Sequence, residues 1–177
     1  MKISIEKAVP NDAAMLLEYL RQVGGETNNL TFGSEGMPFS VEAEAEFISS
    51  MESSKDNVMF LAKCDGKIVG CASLNRLFRR MKHRGDVAIS VAKDHWNKGI
   101  GSQLLNNIIA FARENDFEVI DLQVRSDNKS AIHLYEKYGF KKIGEHPAFF
   151  KIGDDMIPFD IMCLLFKSEM DKTVKEK

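Results

Sequence analysis

Asp94-His95-Trp96-Asn97-Lys98-Gly99-Ile100-Gly101-Ser102 separates a short apolar run, Val87 to Ala92, from a long segment with one apolar face. At about 100° per residue, Ile100, Leu104, Leu105, Ile108, Ile109, Phe111 and Ala112 fall in an arc roughly 180° wide. Gln103, Asn106, Asn107, Arg113 and Glu114 fall opposite. The stretch is therefore a loop from a strand into a helix, with two glycines at the turn. The first N–H groups of such a helix have no intrahelical partner, and its macrodipole adds about half a positive charge. A phosphate is stabilised at that end. Gly99 and Gly101 leave no side chain between a ligand and those amides, and Lys98 adds a mobile cation. A glycine pair also makes a tight turn against a packed sheet with no ligand at all. The common nucleotide fingerprints do not apply, because a third glycine is missing and Lys98 precedes its glycine.

At 177 residues, with 44% hydrophobic and 28% charged side chains, the chain has the composition of one ordinary globular domain. One domain is expected over 1–167, followed by a charged, frayed tail at 168–177. The formal charge of −2 gives no general attraction to nucleic acid or an anionic membrane, and neither is expected as a partner. Cys64, Cys71 and Cys163 sit in apolar runs without zinc-like spacing, so no metal is expected. No secretory signal or membrane span is visible, and a reducing cytoplasm fits best.

Moving outward, Ile3 and Ile5 mark a first strand. A helix capped at Asn11-Asp12 follows, with Met15, Leu16, Tyr19, Leu20 and Val23 on one face, and Gly24-Gly25 is expected to end it. Glu26 to Phe39 form a long loop. Ser40 caps a second helix whose first turn carries Glu42 and Glu44, with Phe47, Ile48 and Met51 as its inner face. Val58 to Cys64 and Lys67 to Leu74 flank Asp65-Gly66 as a hairpin. The basic stretch Arg76 to Arg84 reads as a solvated surface or as a site for an anionic acceptor or partner, and for its Leu77, Phe78 and Met81 contact with the body of the protein or with a second subunit of a homodimer are the two readings. Strands are expected at Val119–Val124, Phe140–Gly144 and Ile157–Phe166, with a helix from Asn128 that ends at Gly139. In that helix Asn128 and Tyr135 are two turns apart on one edge, beside an apolar stripe of Ala131, Leu134 and Tyr138. On its own Asn128 is a helix cap and Tyr135 a core residue.

Together the two segments resemble the GNAT superfamily of acyl-CoA-dependent N-acetyltransferases. The residues that carry the resemblance are Ile89-Ser90-Val91, the loop from Trp96 to Ser102, and Asn128-x-x-Ala131-x-x-Leu134-Tyr135-x-x-x-Gly139-Phe140. It implies an α/β (α+β) fold: a central mixed, mostly antiparallel sheet of about seven strands, helices on both faces, splayed at the cofactor strands. It also implies acetyl-CoA as co-substrate, bound by Ser90, Val91, Asn97, Lys98, Gly99, Ile100, Gly101, Ser102, Asn128 and Tyr135, with no metal. Tyr135 is then the proton donor to the leaving thiolate and Val91 N–H the donor to the acetyl carbonyl. Trp96 stands where the family often has Gln or Arg, which implies different side-chain packing at the loop.

An alkylammonium is only about one part in several thousand free base at pH 7, so a base must take its proton. Asp86 is one candidate base and Glu26 and Glu35 of the long loop are others, while Glu26, Phe32 and Glu35 are candidates for the acceptor site. The expected activity is acetyl transfer to a small-molecule primary amine such as an amino acid, polyamine or amine-bearing toxicant, by direct attack in a ternary complex. A peptide or protein amine, a non-catalytic acyl-CoA-binding module and a nucleotide-phosphate-binding domain are the other readings.

Overall fold

The glycine loop emerges from a strand shared by two units of the chain. The computed structural model describes residues 3–166, so the tail expected at 168–177 lies outside the described residues. The strands are β1 (Ile3–Lys7), β2 (Asn57–Cys64), β3 (Lys67–Arg76), β4 (Arg84–Val91), β5 (Val119–Arg125), β6 (Lys141–Ile152) and β7 (Asp155–Leu165). The helices are α1 (Ala13–Glu26), α2 (Val41–Met51), α3 (Ile100–Glu114) and α4 (Lys129–Lys137), with short 3-10 turns between elements. The seven strands are ordered β1-β2-β3-β4-β5-β7-β6. β1/β2, β2/β3, β5/β7 and β6/β7 are antiparallel and β4/β5 is parallel, which is the mixed, mostly antiparallel sheet expected. The chain divides into one unit of Met1–Asn75 with Val87–Phe111 and another of Arg76–Asp86 with Ala112–Lys177.

In the first unit the β2–β3 hairpin turns at Asp65 (φ 48°) and Gly66 (φ 78°), both left-handed as a two-residue hairpin requires. The hairpin carries helices on both faces. Met59 and Leu61 pack with Leu16, Tyr19 and Val23 of α1 and Ile48 and Met51 of α2. Opposite them, α3 lies so close to β3 that a Cβ on Gly70 would meet Leu104 Cδ1 at 3.0 Å and Ile100 Cγ2 at 3.1 Å. Leu104, Leu105 and Ile108 are fully buried, each worth roughly 1.5–3 kcal/mol of apolar burial.

Two expectations about this unit change. Gly24-Gly25 do not end α1, which runs to Glu26. Gly24 serves packing instead, since a Cβ there would stand 2.0 Å from the carbonyl oxygen of Gly33 in the returning loop. In α2 the buried face is Glu44, Ile48 and Met51, whereas Phe47 is half exposed. Those three residues keep the i, i+4, i+7 spacing of one face, and Phe47 stands at its edge.

In the second unit β4 pairs with β5 over Arg84–Asp86, and Arg84 binds the buried Asp121 carboxylate at 2.8 Å. Arg76 stacks on Phe117 at 3.7 Å and its guanidinium binds the carbonyls of Lys82 and Asn115. Two of the basic stretch's arginines are thus tied into the fold, whereas Phe78 is 81% exposed. α4 ends at Gly139 with φ 91°, as expected. β6 is much longer than the Phe140–Gly144 expected, with irregularities between Lys142 and Gly144 and between His146 and Phe150. It is the last strand of the sheet, where Pro147 and bulges are tolerated, and it offers no clean alternation to read. Phe149 and Phe150 pack on Phe159 of β7 at 4.6 and 4.8 Å between ring centroids.

Candidate active site

The loop that opens the first-unit site is set by backbone conformation. After a 3-10 turn at Lys93–His95, Trp96 is extended, Asn97 is left-handed at φ 59° and Gly99 is left-handed at φ 77°. Asparagine tolerates that region better than most residues, and glycine adopts it without cost. A Cβ on Gly99 would meet nothing within 4 Å, so the glycine is not there to let the sheet approach. It fixes the turn and leaves open space over the start of α3, whose first helical bond is Gln103 N–H to Gly99 C=O at 3.1 Å. The amides of Ile100 and Gly101 precede that bond in the first turn of the helix. These features fit a diphosphate.

Trp96 has a definite role. Its indole N–H donates to the carbonyl of Val91 at 2.7 Å, which ties the loop back onto the end of β4. Ser90 is also held, its hydroxyl lying 3.0 Å from that of Tyr19. Tyr19 is buried, and burial pushes its phenol well above the ordinary value. Glu26 is not part of the wall of the cavity that lies beside β4. It accepts from the backbone N–H of Lys93 and from Gln22, both at 2.7 Å, and so joins the end of α1 to the segment before the loop. Glu35 is exposed and accepts from Gly33 N–H at 2.8 Å, a backbone bond that lowers its carboxyl below the usual range.

Beside Ala88, Ile89 and Ser90 of β4 lies a cavity of about 230 Å³. Leu16 and Leu20 of α1, Leu30, Phe32, Met37 and Phe39 of the long loop, and Met59 and Cys71 of the hairpin make most of its wall. Phe32, named from the sequence for the acceptor site, is one of these wall residues. The wall also carries one carboxylate, Glu44 of α2, only 4% exposed. Burial raises its pKa, and no cation or hydrogen-bond donor partners its carboxylate among the described residues. Cys71 nearby is pushed up to about 12 by burial and is neutral at pH 7. The sequence signal for Glu44 existed but pointed elsewhere. Glu42 and Glu44 look alike as first-turn acids, yet only Glu42 is exposed, and its own backbone N–H and the Ser40 hydroxyl lower its pKa.

The second unit places the other candidates. Asp86 is half-buried; burial raises its pKa above the ordinary carboxylate value, while Gln123 donates to it at 3.4 Å and lowers it in part. Asn128 caps α4, its side-chain carbonyl accepting from Ala131 N–H at 3.2 Å, so only its NH₂ remains to donate to a ligand. Tyr135 is the buried residue of α4, whereas Ala131, Leu134 and Tyr138, expected as the buried stripe, are half-buried. Its ring packs on Phe140 at 5.8 Å, and burial pushes the phenol up to about 12. Among the described residues there is no cluster able to hold a metal ion and no helix long and apolar enough to cross a membrane.

Comparison with known proteins agrees with this geometry. A model of the GNAT acetyltransferase family matches residues 25–140. N-alpha-acetyltransferase RimI of Mycobacterium tuberculosis is 34% identical over 92 residues, 51% of this chain and 56% of that protein. The chain spans about half the length of the curated relatives it matches. A crystal structure of a GNAT-family acetyltransferase from Streptococcus pneumoniae superposes with a TM-score of 0.90 at 31% identity, over 93% of this chain and 100% of that one. The structure of yncA from Salmonella typhimurium with its cofactor acetyl-CoA superposes with a TM-score of 0.82 at 19% identity, over 96% of each chain. The left-handed glycine loop before α3, the Asn128–Phe140 segment, the sheet order and the family match over most of the chain agree, and the chain belongs to the GNAT acetyltransferase family.

Proposed function

We propose that the protein transfers an acetyl group from acetyl-CoA to the primary amine of a small molecule, by direct attack in a ternary complex. The observation that carries the acceptor side is the small apolar cavity along Ala88–Ser90, the residues just before Val91. Its volume of about 230 Å³ lies below the roughly 300–1,000 Å³ of drug-sized ligand sites, which favours a small acceptor. The name of the RimI relative favours a peptide N-terminus as the second reading.

The co-substrate side rests on the loop and the family motif. The amides from Asn97 to Ser102 hold the pyrophosphate, with Lys98 as a mobile counter-charge. Ser90 and Val91 receive the pantetheine end, and Val91 N–H donates to the acetyl oxygen as negative charge develops there. Trp96 holds the peptide after Val91 in place through its indole bond. By the family motif, the NH₂ of Asn128 contacts the pantetheine arm and Tyr135 gives its proton to the departing thiolate. With the phenol near 12 and an ordinary thiol near 8.5, full transfer would be uphill by about 5 kcal/mol. The same desolvation raises a thiol, as it does for Cys71, so the gap closes when the thiolate forms in a dry site. The ammonium must also lose a proton, and Asp86 is the sequence-derived candidate to take it.

The reaction is tested by thiol release from acetyl-CoA with a panel of small amines and peptides, with mass spectrometry of the acetylated product. N-acetylation of a small amine is expected. Turnover confined to peptides would replace the small acceptor by the peptide reading, and tight acetyl-CoA binding without turnover on any amine would make the protein a binding module.

A further inference from the structure

The cavity beside β4 contains one carboxyl group, that of Glu44, which stands in the first turn of α2 and also faces this space. Glu44 is 4% exposed, lines a mostly apolar space that also holds Ser73 and Ser90, and has no ionic or hydrogen-bonding partner for its carboxylate among the described residues. Its oxygens reach the accessible space of the cavity, where a cationic ligand would complete them. No Lys, Arg or His lines the cavity. A bound anion would therefore be unpaired there, and so would a second cation.

Resting on the acetyltransferase reading, the geometry points to a primary monoamine with an apolar body as the acceptor, seated in this cavity with its ammonium on Glu44. Glu44, in place of the Asp86 named from the sequence, is also the group that takes the amine's first proton. The body, a short alkyl or arylalkyl group, lies against Leu16, Leu20, Phe32 and Met59. An amino acid is disfavoured because its carboxylate would have no cation, and a polyamine because its further ammonium groups would have no counter-charge. A longer acyl chain, the other apolar occupant, would leave Glu44 uncompensated.

The chemistry balances through these groups. The ammonium gives one proton to the Glu44 carboxylate, leaving a neutral amine and a carboxylic acid. Between mostly apolar walls both neutral forms gain relative to the charged ones, which lowers the cost of this step. The amine lone pair forms the C–N bond at the thioester carbonyl, and collapse breaks the C–S bond, whose electron pair leaves on sulfur. The nitrogen's second proton and the proton delivered to sulfur balance to give the amide and CoA thiol, and Glu44 returns its proton to solvent when the product leaves. Net, one proton is released per turnover.

The test uses the full chain and 2-phenylethylamine as the probe, with spermidine, leucine and a short peptide as competitors. Calorimetric titration of the probe without acetyl-CoA should show binding to the wild type, loss of binding in Glu44→Gln, and partial retention in Glu44→Asp. With acetyl-CoA, kcat/KM for the probe should exceed that for the three competitors by at least tenfold. It should fall at least 100-fold in Glu44→Gln, with acetyl-CoA affinity within twofold of wild type. Glu44→Gln removes a buried charge, so its Tm should equal or exceed that of the wild type, a result a merely structural glutamate would not give. Wild-type kcat/KM or wild-type probe binding in Glu44→Gln would overturn the assignment. So would preference for leucine, spermidine or peptide, or for hexanoyl-CoA over acetyl-CoA. Failure of acetyl-CoA to bind the wild type would instead defeat the acetyltransferase reading, and the titration without acetyl-CoA would still decide the amine site.

Discussion

Gly99 and Gly66 form a matched pair. Their φ angles are +77° and +78°, and a Cβ on either would meet nothing within 4 Å. Alanine at either position adds no clash, only the cost of holding an L-residue in the left-handed region, about 1–2 kcal/mol. For a chain of this size that corresponds to a fall in Tm of roughly 2–8 °C, at about 2–4 °C per kcal/mol. Gly66→Ala, held between two paired strands, should therefore lose that much in a thermal melt, and Gly99→Ala less wherever its loop relaxes out of the turn. Their acetyl-CoA affinities should differ. Gly66 sits at the tip of the β2–β3 hairpin, whereas Gly99 is the residue immediately before α3. If the altered loop relaxes out of the left-handed turn, binding must restore it. The same 1–2 kcal/mol then appears as a roughly five- to thirtyfold weaker Kd. Isothermal titration with acetyl-CoA should show that loss in Gly99→Ala and a wild-type Kd in Gly66→Ala. A wild-type Kd in Gly99→Ala, or equal weakening in both variants, would refute the role given to the loop.

Three further outcomes follow from the same structure. Tyr135→Phe should lower kcat by roughly 10²-fold or more with acetyl-CoA Kd within twofold, and wild-type turnover in single-turnover kinetics would remove its proton-donor role. Asp86 has a raised pKa, so as a base it would give kcat/KM an acid limb above the ordinary carboxylate range; activity is lost as pH falls through that limb, and an unchanged pH profile in Asp86→Asn would leave Glu44 as the base. Gly24→Ala should destabilise by about 1–3 kcal/mol, because its Cβ would stand 2.0 Å from the Gly33 carbonyl. Gly25→Ala meets its nearest atom at 3.5 Å and should gain up to about 1 kcal/mol from helix propensity, so melts of the two should move in opposite directions.

The loop into α3 was legible because its two signals are local: glycines at the turn and an apolar stripe at helical spacing in α3. The α4 segment was legible for the same reason, with Asn128 as its cap and Tyr135 as its core residue, although the stripe of Ala131, Leu134 and Tyr138 is only half-buried. Gly24-Gly25 misled because a glycine pair ends a helix or admits a close neighbour, and only the returning loop at Gly33 distinguishes the two. Glu44 was hidden by its place in the first turn of α2, where an acid already has an adequate reason to exist. The rotation that separates it from Glu42 becomes meaningful only once α1, β3 and β4 surround it. Glu26 and Glu35 were chosen by loop and charge, yet their carboxylates are taken up by backbone N–H groups that no side-chain pattern displays.

The central claim is that the Gly99 turn and the start of α3 hold the pyrophosphate of acetyl-CoA. A crystal structure of the chain with CoA tests it most directly. It should show diphosphate oxygens within hydrogen-bond distance of amides between Asn97 and Ser102, with the pantetheine running along Ser90 and Val91. CoA bound elsewhere, or with its diphosphate away from those amides, would contradict it.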